Sequence, residues 1–417
     1  MSKNILIIGA GVIGLSTAYY LAKRGCRVTI LDRNPAARDG CSFGNAGMIV
    51  PSHFVPLAAP GMVAMGLKWM WNPESPFYVK PRLDADLLAW GWKFWRASTA
   101  ARVAKAAPLL RDLSFASRAC FEELAAPAKN DFGLVKRGLL MLCKTAHTLD
   151  EEAKMAARAR ALGIPAEVLD AKAVAALDPG VRMDIAGAIL FPQDCHLSPA
   201  RFMAGLEREL ENSGATFSYE TEVTGWRVAG RRIEAVRTNR GEFSADEIVL
   251  CGGAWSPGIA KELRLALPMQ AGKGYSLTLA RPRQLPQRCA IFCEARVAVT
   301  PMDGALRFGG TMEIAGISDT INPARVRGIV NSVSRYFPEF TPEDFAGVQP
   351  WSGLRPCSPD GLPYIGRFRA YENLATATGH AMMGLSLGPI TGRVMADILH
   401  DAPPAFDLSL FAPDRYR

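Results

Sequence analysis

The chain has 417 residues, 49% hydrophobic and 21% charged, which is ordinary for a soluble globular protein and long enough for two domains. Its net charge of +8 comes from scattered arginines without a basic block, which argues against a nucleic-acid partner. Nine irregularly spaced cysteines with no C-x-x-C pair argue against a disulfide framework or a zinc or iron–sulfur centre, so no metal and a reducing, cytoplasmic setting are expected.

The apolar run from Ile5 to Ala22 carries Gly9, Gly11 and Gly14, and it lacks the small-residue cleavage site of a secretory signal. It reads as strand Asn4–Ile8, a turn, and a helix from Leu15 to Arg24 closed by Gly25. A second strand, Arg27–Leu31, stops at Asp32. No other segment approaches ~18 consecutive apolar residues, so no membrane-spanning helix is expected.

Within Gly9-Ala10-Gly11-Val12-Ile13-Gly14, Gly9 permits the tight turn and Gly11 lets the backbone approach a pyrophosphate. Gly14 lets the helix lie close on the strand. The helix start at Val12 and Ile13 offers free N–H groups and a positive dipole end to phosphates. Asp32, with Arg33 beside it, stands where an acid accepts the ribose hydroxyls of an adenosine. This opening specifies a dinucleotide without choosing between NAD and FAD.

The next segment favours FAD. From Asp39 to Met48 small and turn-forming residues replace the further strand–helix unit of a nicotinamide enzyme, and Ser42, Asn45, Ala46, Gly47 and Met48 suit contacts to a pyrophosphate and a flavin. This loop, Cys41-Ser42-Phe43-Gly44-Asn45-Ala46-Gly47-Met48, resembles the second flavin motif of the D-amino-acid oxidase and glycine oxidase superfamily. The likeness is nearest to bacterial D-amino-acid dehydrogenases and D-hydroxyproline dehydrogenases. Three further stretches share it. His196 to Phe202 and Gly214-Ala215-Thr216 precede Val223, whose backbone would meet the adenine; Ala245 to Ser256 contains Gly252, Gly253 and Trp255; and Trp351 to Gly366 is followed by Gly379-His380, Gly384, Leu385 and Ser386.

The resemblance implies an α/β (α+β) fold: a Rossmann-like FAD-binding domain with a discontinuous antiparallel-sheet substrate domain, of D-amino-acid oxidase type. The FAD-binding part is expected in 1–52, 150–224, 244–265 and 350–417, and the substrate part in 53–149, 225–243 and 266–349. Trp226 to Phe243 reads as hairpin strands, and Tyr275–Leu279 and Ala305–Gly309 as strands of a sheet over the flavin.

It also implies a reaction, hydride transfer from the α-carbon of an amino or cyclic imino acid to flavin N5. An arginine fork holds a carboxylate bidentately at any relevant pH, and Arg355 matches the arginine that does so in the resembling oxidases. Tyr275 is a candidate to close the pocket, with a core position the competing reading, and His53 a candidate to face the ring. His380 precedes a helix whose N-terminus would stabilise negative charge on reduced flavin. Cys357 stands at the wrong register for the covalent flavin link of sarcosine oxidases, so FAD is expected to be noncovalent.

Trp69, Trp71, Trp90, Trp92 and Trp95 cluster with methionines and lysines. They read either as helices packed on the substrate domain or as a patch for the membrane inner face or a redox partner. The resembling dehydrogenases pass electrons to a membrane chain, which favours a quinone or electron-transfer partner; the alternatives are an oxygen-using oxidase of glycine or sarcosine oxidase type and a flavin subunit of a multi-protein electron-transfer complex.

Overall fold

A computed structural model describes residues 2–70, 72 and 74–416, so Trp71 lies outside the described residues. The first strand, Asn4–Ile8, is buried from Ile5 onward and forms the middle of a six-stranded sheet. It pairs in parallel with Arg27–Leu31 on one side and Glu247–Leu250 on the other. Thr216–Ser218 extends one edge, and Leu374–Thr378 followed by antiparallel Tyr364–Arg367 extends the other. Such strands are apolar because both faces are covered.

Helix Val12–Lys23 starts three residues earlier than its apolar pattern suggested, since Val12, Ile13 and Gly14 already form its first turn. It ends at Arg24, where Gly25 takes a left-handed φ of 80°. The C-terminal helix Gly384–Leu399 crosses it at glycines: a Cβ at Gly392 would stand 2.4 Å from the Ser16 carbonyl oxygen, and one at Gly388 3.0 Å from a Val12 methyl. This close approach sets the N-terminus of the last helix beside that of the first.

A nine-stranded sheet forms the second layer. Trp351–Cys357, Gln270–Leu279, Ala305–Ile314 and Val297–Met302 run antiparallel in that order, followed by Cys289–Phe292, Leu139–Cys143, Gly187–Phe191 and Glu167–Asp170. Phe77–Val79 pairs beside Ile314. The expected hairpin lies at Val223–Phe243 as a separate three-stranded sheet. Sheet membership divides the chain differently from the sequence reading. The strands at 167–170, 187–191 and 351–357, expected with the nucleotide-binding part, belong to the large sheet. Among the described residues no helix is long and apolar enough to cross a membrane, and no cluster of His, Cys, Asp or Glu could hold a metal ion.

Candidate active site

A cavity of about 380 Å³ opens at the C-terminal ends of the first two strands, where ligands of parallel sheets bind. Gly9 makes it possible: its φ is 110°, and a Cβ there would stand 2.5 Å from the Cys251 carbonyl oxygen. Gly14 does not line the cavity; it supports the turn from beneath, where a Cβ would sit 1.9 Å from the Gly9 carbonyl oxygen. Gly11, Val12 and Ile13 face the space. Helix Val12–Lys23 has no side-chain cap from its N-cap residue, although Ser42 Oγ, from the flavin loop, accepts the Val12 N–H at 3.0 Å. The remaining first-turn N–H groups have no partner within the helix and can serve phosphate.

At the far end Asp32 is buried. Its two carboxylate oxygens accept the N–H groups of Ala10 and Asn34, both at 2.8 Å, which fixes the acid at the cavity wall. Arg33 stacks over the Trp255 ring at 4.9 Å, and both line the same end with Val223, Gly252 and Gly253. His380, Gly384 and Leu385 line the cavity as well. His380 is buried with Nε2 3.0 Å from Thr391 Oγ1, and its Nδ1 has no hydrogen-bond partner among the described residues. Burial pushes the imidazole down to about 3, so the ring is neutral.

Several predicted cofactor residues act from behind the wall. Gly47, at φ 75°, is pressed against the Leu197 carbonyl; Ala46 lies beneath Gly309; Met48 pairs with His196 in a short ladder. Gly379 takes φ 79° against Tyr364, and Ser386 Oγ accepts the Val50 N–H at 3.1 Å. Ser42 and Asn45 do face the cavity. Sequence reasoning missed Arg38, Cys41, Phe43, Trp226, Ile259 and Glu262, which also line it. Arg38 hydrogen-bonds the Ala10 carbonyl at 3.0 Å and pairs with Glu207, a contact that no local motif foretells. Arg307, also missed, donates from Nη1 to the Phe43 and Asn45 carbonyls at 3.1 and 2.7 Å, holding the loop's shape from the large sheet.

The three catalytic candidates separate. Arg355 lies on the large sheet between Leu354 and Pro356, which line the cavity while it does not itself do so, and its Nη1 donates to the Thr311 carbonyl at 2.6 Å. Among the described residues it forms no ion pair with a carboxylate. Tyr275 is withdrawn from the pocket into the core between sheet and helix Pro323–Tyr336, where its hydroxyl donates to buried Glu313. The strand's alternation is the reason: Gly272 and Gly274 face Arg355, so 273, 275 and 277 face the other side. Burial, with the Glu313 carboxylate beside it, pushes the Tyr275 phenol well up, so it stays protonated. His53 does not line the cavity either. Its Nδ1 lies 3.0 Å from Ser52 Oγ, which donates to the fully buried Asp194 carboxylate. Burial lowers His53 to about 4 and raises Asp194 to about 7.

The arrangement fits FAD: a glycine turn at a helix start, a buried acid, a second helix start with a neutral imidazole beside it, and, on a strand that lines the cavity, an arginine with no carboxylate partner among the described residues. Comparison with known proteins agrees. Residues 4–398 match the family described as "FAD dependent oxidoreductase". A D-amino acid dehydrogenase of Agrobacterium fabrum is 35% identical over 99% of both chains, and one of Cereibacter sphaeroides is 35% identical over 99% of this chain and 95% of its own. Among solved structures, glycine oxidase from Geobacillus kaustophilus superposes with a TM-score of 0.79 at 25% identity, covering all of both chains. An L-proline dehydrogenase from P. horikoshii, at 17% identity and a TM-score of 0.75 over 100% of this chain and 98% of its own, shares the fold. The chain therefore belongs to the FAD-dependent oxidoreductase family that includes the D-amino acid dehydrogenases, and FAD is its cofactor.

Proposed function

We propose that the protein dehydrogenates a D-amino acid or a cyclic imino acid, D-proline and cis-4-hydroxy-D-proline included, by hydride transfer from the α-carbon. The observation that carries this reading is Arg355, a guanidinium with a backbone carbonyl for a partner and no carboxylate among the described residues, on a strand whose Leu354 and Pro356 line the cofactor cavity. A substrate carboxylate supplies the missing anion, and the planar fork fixes its orientation. Bound FAD supplies the two-electron acceptor at N5. The amine reacts as the neutral form, so the protein's part is to bind and orient, and no side-chain base is assigned. FAD is held noncovalently: Cys357 is fully buried with Sγ 3.7 Å from the Met312 sulfur, and burial pushes its thiol up to about 12. Flavin remaining on acid-precipitated protein would refute that point.

Electrons pass to a quinone or another respiratory acceptor, with the protein peripheral on the inner face of the membrane. Leu83, Leu88, Trp92 and Trp95 are exposed, Trp95 by 62%, and Lys93 and Arg96 lie against the Trp92 ring. Apolar tips mixed with cations suit an anionic lipid surface. The test is anaerobic flavin bleaching across D-amino acids, D-proline, cis-4-hydroxy-D-proline, glycine and sarcosine. Turnover with a quinone or dye in the absence of air is then compared with peroxide formed in air. No bleaching by any of them rejects the reading, and stoichiometric peroxide replaces dehydrogenase by oxidase.

A further inference from the structure

Seven of the nine cysteines are buried, while Cys26 and Cys41 are half-buried. Cys41 lines the cofactor cavity, which FAD fills. Cys26 lies beyond the opposite end of helix Val12–Lys23, one residue past Gly25, and does not line that cavity. It is therefore the thiol left open to solution in the FAD-loaded protein.

His400 caps the end of the last helix, Gly384–Leu399, and places Nε2 3.7 Å from the Cys26 sulfur. Its Nδ1 lies 2.9 Å from the Ala396 carbonyl oxygen. A carbonyl oxygen can only accept, so the ring proton sits on Nδ1 and Nε2 presents a lone pair to the thiol. A nucleophile, a base within reach and a third group that orients the base make up the arrangement that activates weak nucleophiles. Lys3 and Arg24 bring positive charge to the sulfur; Lys3 Nζ is held on the Leu399 carbonyl at 2.7 Å, and Arg24 pairs with Asp397. Burial raises the Cys26 thiol, with those two cations opposing, so the sulfur is protonated at neutral pH and needs a base in order to react.

We propose that Cys26 is a thiol-exchange site, with His400 as its base and small disulfides bearing carboxylates, such as oxidised glutathione, as its reactants. His400 Nε2 takes the thiol proton, and the Cys26 sulfur attacks one sulfur of the disulfide. The S–S bond breaks, a mixed disulfide forms on Cys26, and the departing thiolate leaves with the proton held on His400. The incoming disulfide is the only oxidant the step consumes. Cys26 precedes the strand Arg27–Leu31, whose other end reaches the cofactor cavity, so the adduct leaves the flavin site open.

The test treats the FAD-loaded protein with dithiobis(nitrobenzoate) and identifies the labelled peptide by mass spectrometry. One thiol per chain should react in a fast phase and map to Cys26, with flavin content and dye-linked activity retained. Cys26→Ser should remove that phase. His400→Gln keeps a polar side chain at an exposed position but cannot take the proton, and it should slow the phase at least tenfold at neutral pH. In strong base the thiol ionises unaided, so the two rates should converge there, which a merely structural contact would not produce. Oxidised glutathione should leave an adduct on Cys26 that dithiothreitol releases, formed more slowly as salt screens the cations. A fast phase on another cysteine, equal rates in wild type and His400→Gln at neutral pH, or no glutathione adduct would each overturn the proposal.

Discussion

The Arg355 guanidinium lies flat on the backbone of Gly274: a Cβ added at 274 would stand 2.1 Å from Nη2 and 2.2 Å from Cζ. The glycine is the seat of the arginine, and any side chain there must push the fork off its position. Arg355→Ala is expected to lower kcat/KM more than tenfold, by about 1.5–3 kcal/mol for a lost charged hydrogen bond. Gly274→Ala should reproduce most of that loss while retaining FAD. Steady-state kinetics beside flavin content checks both, and full efficiency in Gly274→Ala would show that the fork's placement is not critical.

Trp351 latches the flavin loop. Its ring covers Gly44, where a Cβ would meet it at 2.1 Å, and its indole N–H donates to the Asp39 carbonyl at 2.7 Å. Gly44→Val should therefore unlatch the loop and weaken FAD binding at least tenfold, measured by fluorescence titration of the apoprotein. An unchanged dissociation constant would count against the latch.

Acid should destabilise the apoprotein through its buried histidines. His196 is 2% exposed, and burial with repulsion from Arg137 lowers it to about 4. An unfolded histidine titrates near 6.5, so between those values the unfolded chain binds more protons and stability falls as pH falls. From pH 7.5 to 5 that amounts to about 2 kcal/mol for this residue. Asp194, raised to about 7, acts in the opposite sense: it favours the fold at low pH and loses that contribution as pH rises towards 7. His196→Gln should lose less stability than wild type over this range by about the same 2 kcal/mol, followed by denaturant unfolding at the two pH values. Parallel losses in both proteins would contradict the assignment.

Trp92 and Trp95 are 54% and 62% exposed, and the proposed lipid contact places them at the surface. The double variant Trp92→Ser, Trp95→Ser should lose cosedimentation with anionic vesicles severalfold, with dye-linked activity in solution retained. Trp90 behaves otherwise because it is buried and bonded to the Cys357 carbonyl, so Trp90→Ser is expected to destabilise the fold. Thus Trp90 is a core residue, while Trp92 and Trp95 are exposed.

The sequence by itself determined the cofactor and the strand–turn–helix that receives it, because those features are local: glycines at fixed spacing, a helix start and an acid at a strand end. It also supplied strands Tyr275–Leu279 and Ala305–Gly309 of the large sheet, though not the strand Trp351–Cys357 that carries Arg355. It did not determine which residues share a face across strands far apart in the chain. Tyr275 went to the core because the bulge and pairing that place Gly274 under Arg355 leave the tyrosine on the opposite side of the pleat. Arg307 and Trp351 likewise hold the flavin loop from 262 to 312 residues away, and Arg38 bonds the Ala10 carbonyl and pairs with Glu207. Tertiary structure decided these because a side chain's neighbours depend on pairing register and packing, and neither is fixed by the residues beside it in the chain.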